Sequence, residues 1–178
     1  MGRSSQGILA YGYDLGGGGG TWKVREAADN DFGILCTPWY DGNAALDDED
    51  EQGEEAPEPD TEVSGPFDAM ISFLYAQIGG ASADAGTPID DREKAVEEHF
   101  AVTFVDHGDD YNWPQAKILA AYHTTNLYGQ TEPLDLAALQ ARAVAEDWDG
   151  KLSRLLALLG LTPLAHRPTW QLGCVDRA

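Results

Sequence analysis

Apolar and polar residues alternate in several separate segments of the chain, and this period of two predicts β-strands. The strand segments are residues 7–13, 102–105, 117–127 and 169–175, with a shorter run at 33–36. Residues 21–26 also alternate, and the five consecutive glycines before them predict a hairpin with a flexible tip. In the segment 117–127 the pattern places Leu119, Ala121 and His123 on one face, and in 169–175 it places Trp170, Leu172 and Cys174 on one face.

A period of about 3.6 residues predicts helices in the middle and towards the end of the chain. The helices begin at Pro66, at Thr87, at Asp135 and at Asp147, and Thr87 and Asp147 are predicted to be capping residues. The last has a leucine stripe and ends at Gly160. Strands at both ends with helices between them predict an α+β fold, an antiparallel or mixed sheet of about four to five strands with helices packed on one side.

The length of 178 residues predicts a single domain, residues 1–178, which is large enough to bury a core without disulfides. Residues 44–65 interrupt it as an acidic insertion. Ten of the sixteen residues from 47 to 62 are acidic, two are proline and almost none is apolar. Such a segment cannot bury enough apolar surface to offset the entropy of ordering it, so we expect the insertion to be disordered.

The negative charge is large and unevenly distributed. The chain has 31 acidic and 11 basic residues, a net charge of -20 at pH 7. Between Glu26 and Asp91 there are eighteen acidic residues and no Lys or Arg. Contact with nucleic acid or with an anionic membrane depends on Lys and Arg, so this charge disfavours direct binding to either. The charged partners that it favours are a basic protein surface or metal ions.

The acidic insertion is the first candidate site. Clustered carboxylates can imitate the charge of a nucleic-acid backbone and occupy a basic groove on another protein, with fast and salt-sensitive association. A solubilising linker without a partner is the alternative. The candidate partner-binding residues are Asp47, Asp48, Glu49, Asp50, Glu51, Glu54 and Glu55.

A polar run directly after the predicted strand 102–105 is the second candidate. Asp106, His107, Asp109 and Asp110 could hold a divalent cation or supply an acid and base pair. The spacing is not that of an EF-hand, and a solvated loop is the alternative reading. The chain indicates no other cofactor.

The histidines, the glycine run and the cysteines are predicted to have structural and not catalytic roles. No two of the four histidines have the helical spacing of a zinc site, and His123 is predicted to be a hydrogen-bonded core residue. The glycines 16–20 precede a predicted strand, whereas a phosphate-binding loop leads into a helix. Cys36 and Cys174 are predicted to be free structural thiols in a reducing compartment. With no signal peptide or membrane span at the start, a cytoplasmic location is expected.

Four short motifs stand out, mostly towards the two ends of the chain: SQGILAYGYDLGG at 5–17 with Trp22, PWY at 38–40, LGLTP at 159–163 and RPTW at 167–170. With these motifs the chain resembles a family of small hypothetical proteins of actinobacteria and their phages. The resemblance implies a shared fold and lends no activity. It also implies a context in which a small acidic protein acts as an accessory that binds a host protein.

Three functions follow as hypotheses. The leading one is a non-enzymatic acidic binding protein, a phage-type accessory or inhibitor that docks on a basic, nucleic-acid-handling host protein. The alternatives are a small metal-dependent hydrolase centred on residues 106–110 and a structural or virion-associated protein. The sequence defines no oligomeric state.

Overall fold

The computed structural model describes residues 4–17, 21–28, 33–42, 65–79, 86–109, 116–127 and 133–177. The strands are β1 (Ser4–Gly16), β2 (Cys36–Thr37), β3 (Tyr40–Asp41), β4 (Thr103–Asp109), β5 (Ala116–Leu127) and β6 (Thr169–Arg177). The helices are α1 (Arg25–Ala28), α2 (Pro66–Gly79), α3 (Ile89–Phe100), α4 (Leu136–Ala145) and α5 (Trp148–Leu159). The chain therefore has the predicted α+β fold. Along the described ranges, no helix is both long and apolar enough to cross a membrane.

The main sheet has the order β1-β5-β4-β6 and closes on itself, because β6 also pairs with β1. β1 is antiparallel to both β5 and β6, and β4 is antiparallel to β5. The ends of β4 and β6 pair in parallel, with Gly108 opposite Val175. The sheet is therefore mixed, which is one of the two arrangements that the sequence predicts. β2 and β3 form a separate two-stranded ribbon.

A close approach of backbones shapes the sheet at Gly12. The register of β1 against β5 shifts between Tyr11 and Gly12, so that Ala121 has no partner in β1. A Cβ atom at position 12 would lie 1.9 Å from the carbonyl oxygen of Leu119. Only glycine fits here, and the extra residue in β5 is a bulge that increases the local twist of the strand pair.

The two faces of the sheet have cores of different size. The inner face holds a small cluster, made of Ile8, Ala10, Val105, Ile118 and Ala120. The outer face holds the main core, in which Tyr11, Tyr13 and Leu119 of the sheet pack against helices α2, α3 and α5. The helices therefore lie on one side of the sheet, as predicted.

The helix ends confirm two of the predicted signals, correct a third and confirm a fourth only in its position. The Asp135 carboxylate accepts a hydrogen bond of 2.9 Å from the Ala138 amide and caps α4. Gly160 ends α5 in the left-handed conformation, with φ of 66°. Helix α3 begins after Pro88 without a side-chain cap hydrogen bond, so the prediction of Thr87 as its cap is wrong. Asp147 lies at the capping position of α5, as predicted, but its side chain makes no cap hydrogen bond.

The predicted hairpin over residues 21–26 does not form. Trp22 makes a single bridge to Gly16, Val24 makes another to Pro163, and α1 begins at Arg25. Both edges of β1 are already paired with β5 and β6, so no edge is left for a following strand. Strand β4 also continues to Asp109, where a loop was expected. Of the predicted acidic insertion, residues 44–65, all but Gly65 lie outside the described residues.

Candidate functional site

A partly buried carboxylate lies where β1 ends. Asp14 Oδ1 accepts a hydrogen bond of 2.9 Å from the Gly16 amide and lies 3.3 Å from His107 Nε2. Asp14 Oδ2 forms an ion pair with Lys23. Burial alone would raise the pKa of Asp14, but the hydrogen bonds from the imidazole, the ammonium group and the amide outweigh it. The pKa of this carboxyl is therefore well below its usual range.

Asp106 and His107, which the sequence suggested as neighbouring metal ligands, have separate partners. Consecutive residues of a strand point to opposite faces of the sheet, and these two follow one another in β4. Asp106 forms an ion pair with Lys117, and the Lys117 ammonium lies 4.0 Å from the centre of the Phe67 ring. His107 contacts Asp14 instead.

The other two proposed metal ligands cannot be placed in this arrangement. The side chain of Asp109 and the whole of Asp110 lie outside the described residues. Among the described residues, no three His, Cys, Asp or Glu side chains form a group that could hold a metal ion. The divalent cation at residues 106–110 stays a prediction.

Two further carboxylates of α3 lie near the Asp106–Lys117 pair. Burial raises the pKa of Glu93, and the nearby positive charge of Lys117 only partly offsets it. Burial also raises the pKa of Glu97, whose Oε1 accepts a hydrogen bond of 2.8 Å from the Phe104 amide. In both cases the main cause is burial, which penalises the charged form of the carboxylate.

The remaining histidines and the cysteines do not form a site within the described part of the chain. His99, His123 and His166 are exposed, so the prediction of His123 as a core residue is wrong. The bulge at Ala121 shifts the alternation of β5, so that His123 lies opposite Ala10 and not on the face of Leu119. There it lines a surface cavity of about 180 Å³ together with Val105 and Thr125. Neither Cys36 nor Cys174 forms a disulfide, as predicted, but Cys174 is exposed.

The sequence did not predict the aromatic cluster on the outer face. Trp148, the first residue of α5, is completely buried at its centre. The Tyr122 ring stacks on it at 5.2 Å, and the rings of Tyr11 and Trp170 lie at 5.6 and 6.2 Å. From α4, Arg142 adds a guanidinium group 5.4 Å from the centre of the Tyr122 ring.

A polar groove opens beside this cluster. Tyr11 donates a hydrogen bond of 2.8 Å to Asp149 Oδ1. Burial, together with this bond and the negative charge of Asp149, raises the pKa of Tyr11 to about 12. The groove comprises a cavity of about 400 Å³ and one of about 220 Å³, which share Tyr11, Gln140 and Asp149. We call it the Tyr11–Asp149 groove; its other lining residues are Ala143, Val144, Asp147, Arg167, Pro168, Thr169 and Trp170.

Comparison with known proteins adds no assignment to this site. No family model matches the chain, and no curated protein and no solved structure matches it. The resemblance of the chain ends to the actinobacterial and phage family stays a prediction. Any statement about function rests on the chemistry of the described residues and on the distribution of charge along the sequence.

Proposed function

We propose that this chain is a non-enzymatic acidic binding protein that docks on a basic, nucleic-acid-handling host protein. The observation that carries the proposal is the separation of charge along the chain. The described residues include sixteen acidic and ten basic residues, whereas residues 47–62 include ten acidic residues and no basic one. Most of the net charge of -20 therefore lies outside the described residues.

A concentration of carboxylates of this kind acts through its electric field. It accelerates association with a positively charged surface, repels nucleic acid and weakens as salt is added. The contacts of the proposed complex are the acidic residues Asp47, Asp48, Glu49, Asp50, Glu51, Glu54 and Glu55, which lie outside the described residues. By occupying a groove that normally binds nucleic acid, the chain would act as a phage-type inhibitor in the cytoplasm.

Acidic side chains on α3 extend the same charge onto the described fold. Asp90 and Asp91, in the first turn of this helix, are exposed to solvent. Burial is the main cause of the raised pKa of Glu93 and of Glu97 on the same helix, so these two carboxylates add little to the exposed charge. The support that α3 gives to the proposal is the pair of exposed carboxylates in its first turn, which a basic partner can contact.

Capture from host lysate at low and high salt tests the proposal with two matched variants. In the first, the ten acidic residues of segment 47–62 become Asn or Gln; in the second, the sixteen residues are kept but their order is shuffled. We expect the intact chain and the shuffled variant to retain a basic nucleic-acid-binding protein that high salt releases. The amide variant should lose it. If the amide variant retains the same protein as strongly, the segment is only a solvated linker.

A metal-dependent hydrolase centred on residues 106–110 is the second candidate. The observation that favours it is the contact between His107 and Asp14, because a carboxylate that orients an imidazole is typical of a general base. This candidate predicts bound divalent metal and hydrolase activity that His107→Gln and Asp109→Ala abolish. The binding-protein proposal predicts that both variants capture the partner unchanged.

A further inference from the structure

The smaller cavity of the Tyr11–Asp149 groove combines negative charge with an aromatic wall and an apolar wall. Its lining residues are Tyr11, Gln140, Ala143, Val144, Asp147 and Asp149, and its volume is about 220 Å³. No basic residue lines it among those that the structure describes. Asp147 is already paired with Arg154 at 3.1 Å, so Asp149 is the carboxylate available to a ligand.

Asp149 is held in position for that role. The Tyr11 hydroxyl donates to one of its two oxygens, which fixes the carboxylate against the aromatic cluster while the residue stays exposed. Within the described ranges, no Lys, Arg or His forms an ion pair with Asp149. An oriented carboxylate of this kind forms strong hydrogen bonds with a guanidinium or ammonium group.

The apolar part of the smaller cavity suits the aliphatic part of a Lys or Arg side chain. Val144 is 77% exposed and, with Ala143, offers an apolar surface along which the methylene groups of Lys or Arg can lie. The aromatic cluster next to the cavity already attracts one guanidinium, that of Arg142. An anionic ligand is disfavoured because Asp147 and Asp149 both face it.

The larger cavity differs because Arg167 lines it. Its positive charge opposes a cation there but suits a peptide carbonyl oxygen, which accepts hydrogen bonds. We infer that the Tyr11–Asp149 groove binds an arginine or lysine side chain of a protein partner, with the cationic end at Asp149 and the peptide backbone towards Arg167. This inference rests on the proposed function for its basic partner, and it assigns that partner a defined anchoring site.

Titration with N-acetyl-arginine amide, followed by the NMR signal of the Trp170 indole, tests the site without any partner. The neutral isostere N-acetyl-citrulline amide is the control ligand. We expect a saturable shift with the arginine compound and none with citrulline. Because hydrogen bonds between charged groups are worth more than neutral ones, Asp149→Asn should weaken binding about ten-fold.

Two control variants distinguish binding in the groove from attraction by the overall negative charge of the protein. Glu98→Gln removes one exposed carboxylate from α3 and should leave binding unchanged. Val144→Lys places a competing ammonium group in the smaller cavity and should abolish binding, whereas Ala157→Lys, at an exposed position of α5 outside the cavity, should not. Equal shifts with citrulline, or equal losses in Glu98→Gln and Asp149→Asn, would overturn the inference.

Partner capture by the same variants distinguishes a failure of the groove from a failure of the proposed function. Capture that Asp149→Asn and Val144→Lys leave intact would overturn the groove as an anchoring site and leave the acidic binding protein standing. Saturable binding of the arginine compound without any captured basic protein would support the groove and overturn the proposed function.

Discussion

Two neighbouring pairs of residues on the same face of the same strands have opposite environments. Tyr11 of β1 is opposite Trp170 of β6, and both pack against the buried Trp148. Leu9, two residues before Tyr11, is opposite Leu172, two residues after Trp170, and Leu172 is 87% exposed. The strand pattern is the same in both places, but α5 covers only the first pair.

The difference shows that the alternation of apolar and polar residues determines which face of a strand a side chain lies on. Whether that face is buried depends on the helices that pack against it. The covered half carries large aromatic rings, whose burial supplies much of the apolar contribution to stability. The uncovered half leaves Leu9, Leu134 and Leu172 around an open cavity of about 190 Å³. Substitutions should therefore be costly in the first half and almost neutral in the second.

Trp148→Ala should have the largest effect. The side chain is completely buried and contacts three other rings, so its removal leaves a large cavity in the main core. We expect the free energy of unfolding, measured with urea, to fall by about 3–5 kcal/mol. A loss below about 1 kcal/mol would mean that α5 does not hold the outer face together.

Trp170→Ala should have a smaller but clear effect, because this ring is only partly buried. Loss of its contacts with Tyr11 and Trp148 should lower the free energy of unfolding by about 2 kcal/mol. The same urea titration measures it. If Trp170→Ala lowers the free energy of unfolding no more than Leu172→Ser does, the covered and uncovered halves of the face contribute equally to stability, and the proposed difference is wrong.

Tyr11→Phe should cost about 1 kcal/mol, because the ring stays and only the hydrogen bond to Asp149 is lost. Its effect should depend on pH. The pKa of Tyr11 in the folded chain, about 12, lies above the usual value of about 10 in an unfolded chain. The protonated phenol therefore stabilises the fold below about pH 10, and this contribution is lost as the pH rises towards about 12.

Urea titrations at pH 8 and pH 11 check the sign of this effect. The intact chain should lose more stability between these two values than Tyr11→Phe does, because the variant has no phenol at this position. Equal losses in the two proteins would show that Tyr11 titrates as an ordinary tyrosine.

Leu172→Ser should have the smallest effect, within about 0.5 kcal/mol, because the side chain is already in solvent. Urea unfolding together with sedimentation velocity checks it. A loss above about 1 kcal/mol, or a change in sedimentation, would show that another molecule covers this half of the face in solution.

The sequence predicted the parts of the fold that depend on local pattern. Strand 117–127 and the helices beginning at Pro66 and Asp135 appear because periodicity and end signals are properties of neighbouring residues. The hairpin at 21–26 was wrong because the partners of β1 come from β5 and β6, far along the chain. The reversed face of His123 depends on the bulge at Ala121, which only strand pairing reveals.

The two candidate binding sites, residues 47–62 and the Tyr11–Asp149 groove, also differ in how far the local sequence reveals them. Residues 47–62 are visible as a candidate from composition alone, since acidic charge needs no particular fold to be recognised. The Tyr11–Asp149 groove joins residues 138 positions apart, and a tyrosine in a strand is ordinary until Asp149 is known to lie beside it. No local pattern could have connected them.

Competition with DNA tests the central claim, that the acidic residues occupy a nucleic-acid-binding groove on a basic protein. A fluorescently labelled DNA duplex is bound to the captured host protein, and the intact chain or the amide variant of residues 47–62 is then added. We predict that the intact chain releases the DNA, with a potency that falls as salt is raised, and that the amide variant does not. A ternary complex that retains the DNA, or equal release by both proteins, would contradict the account.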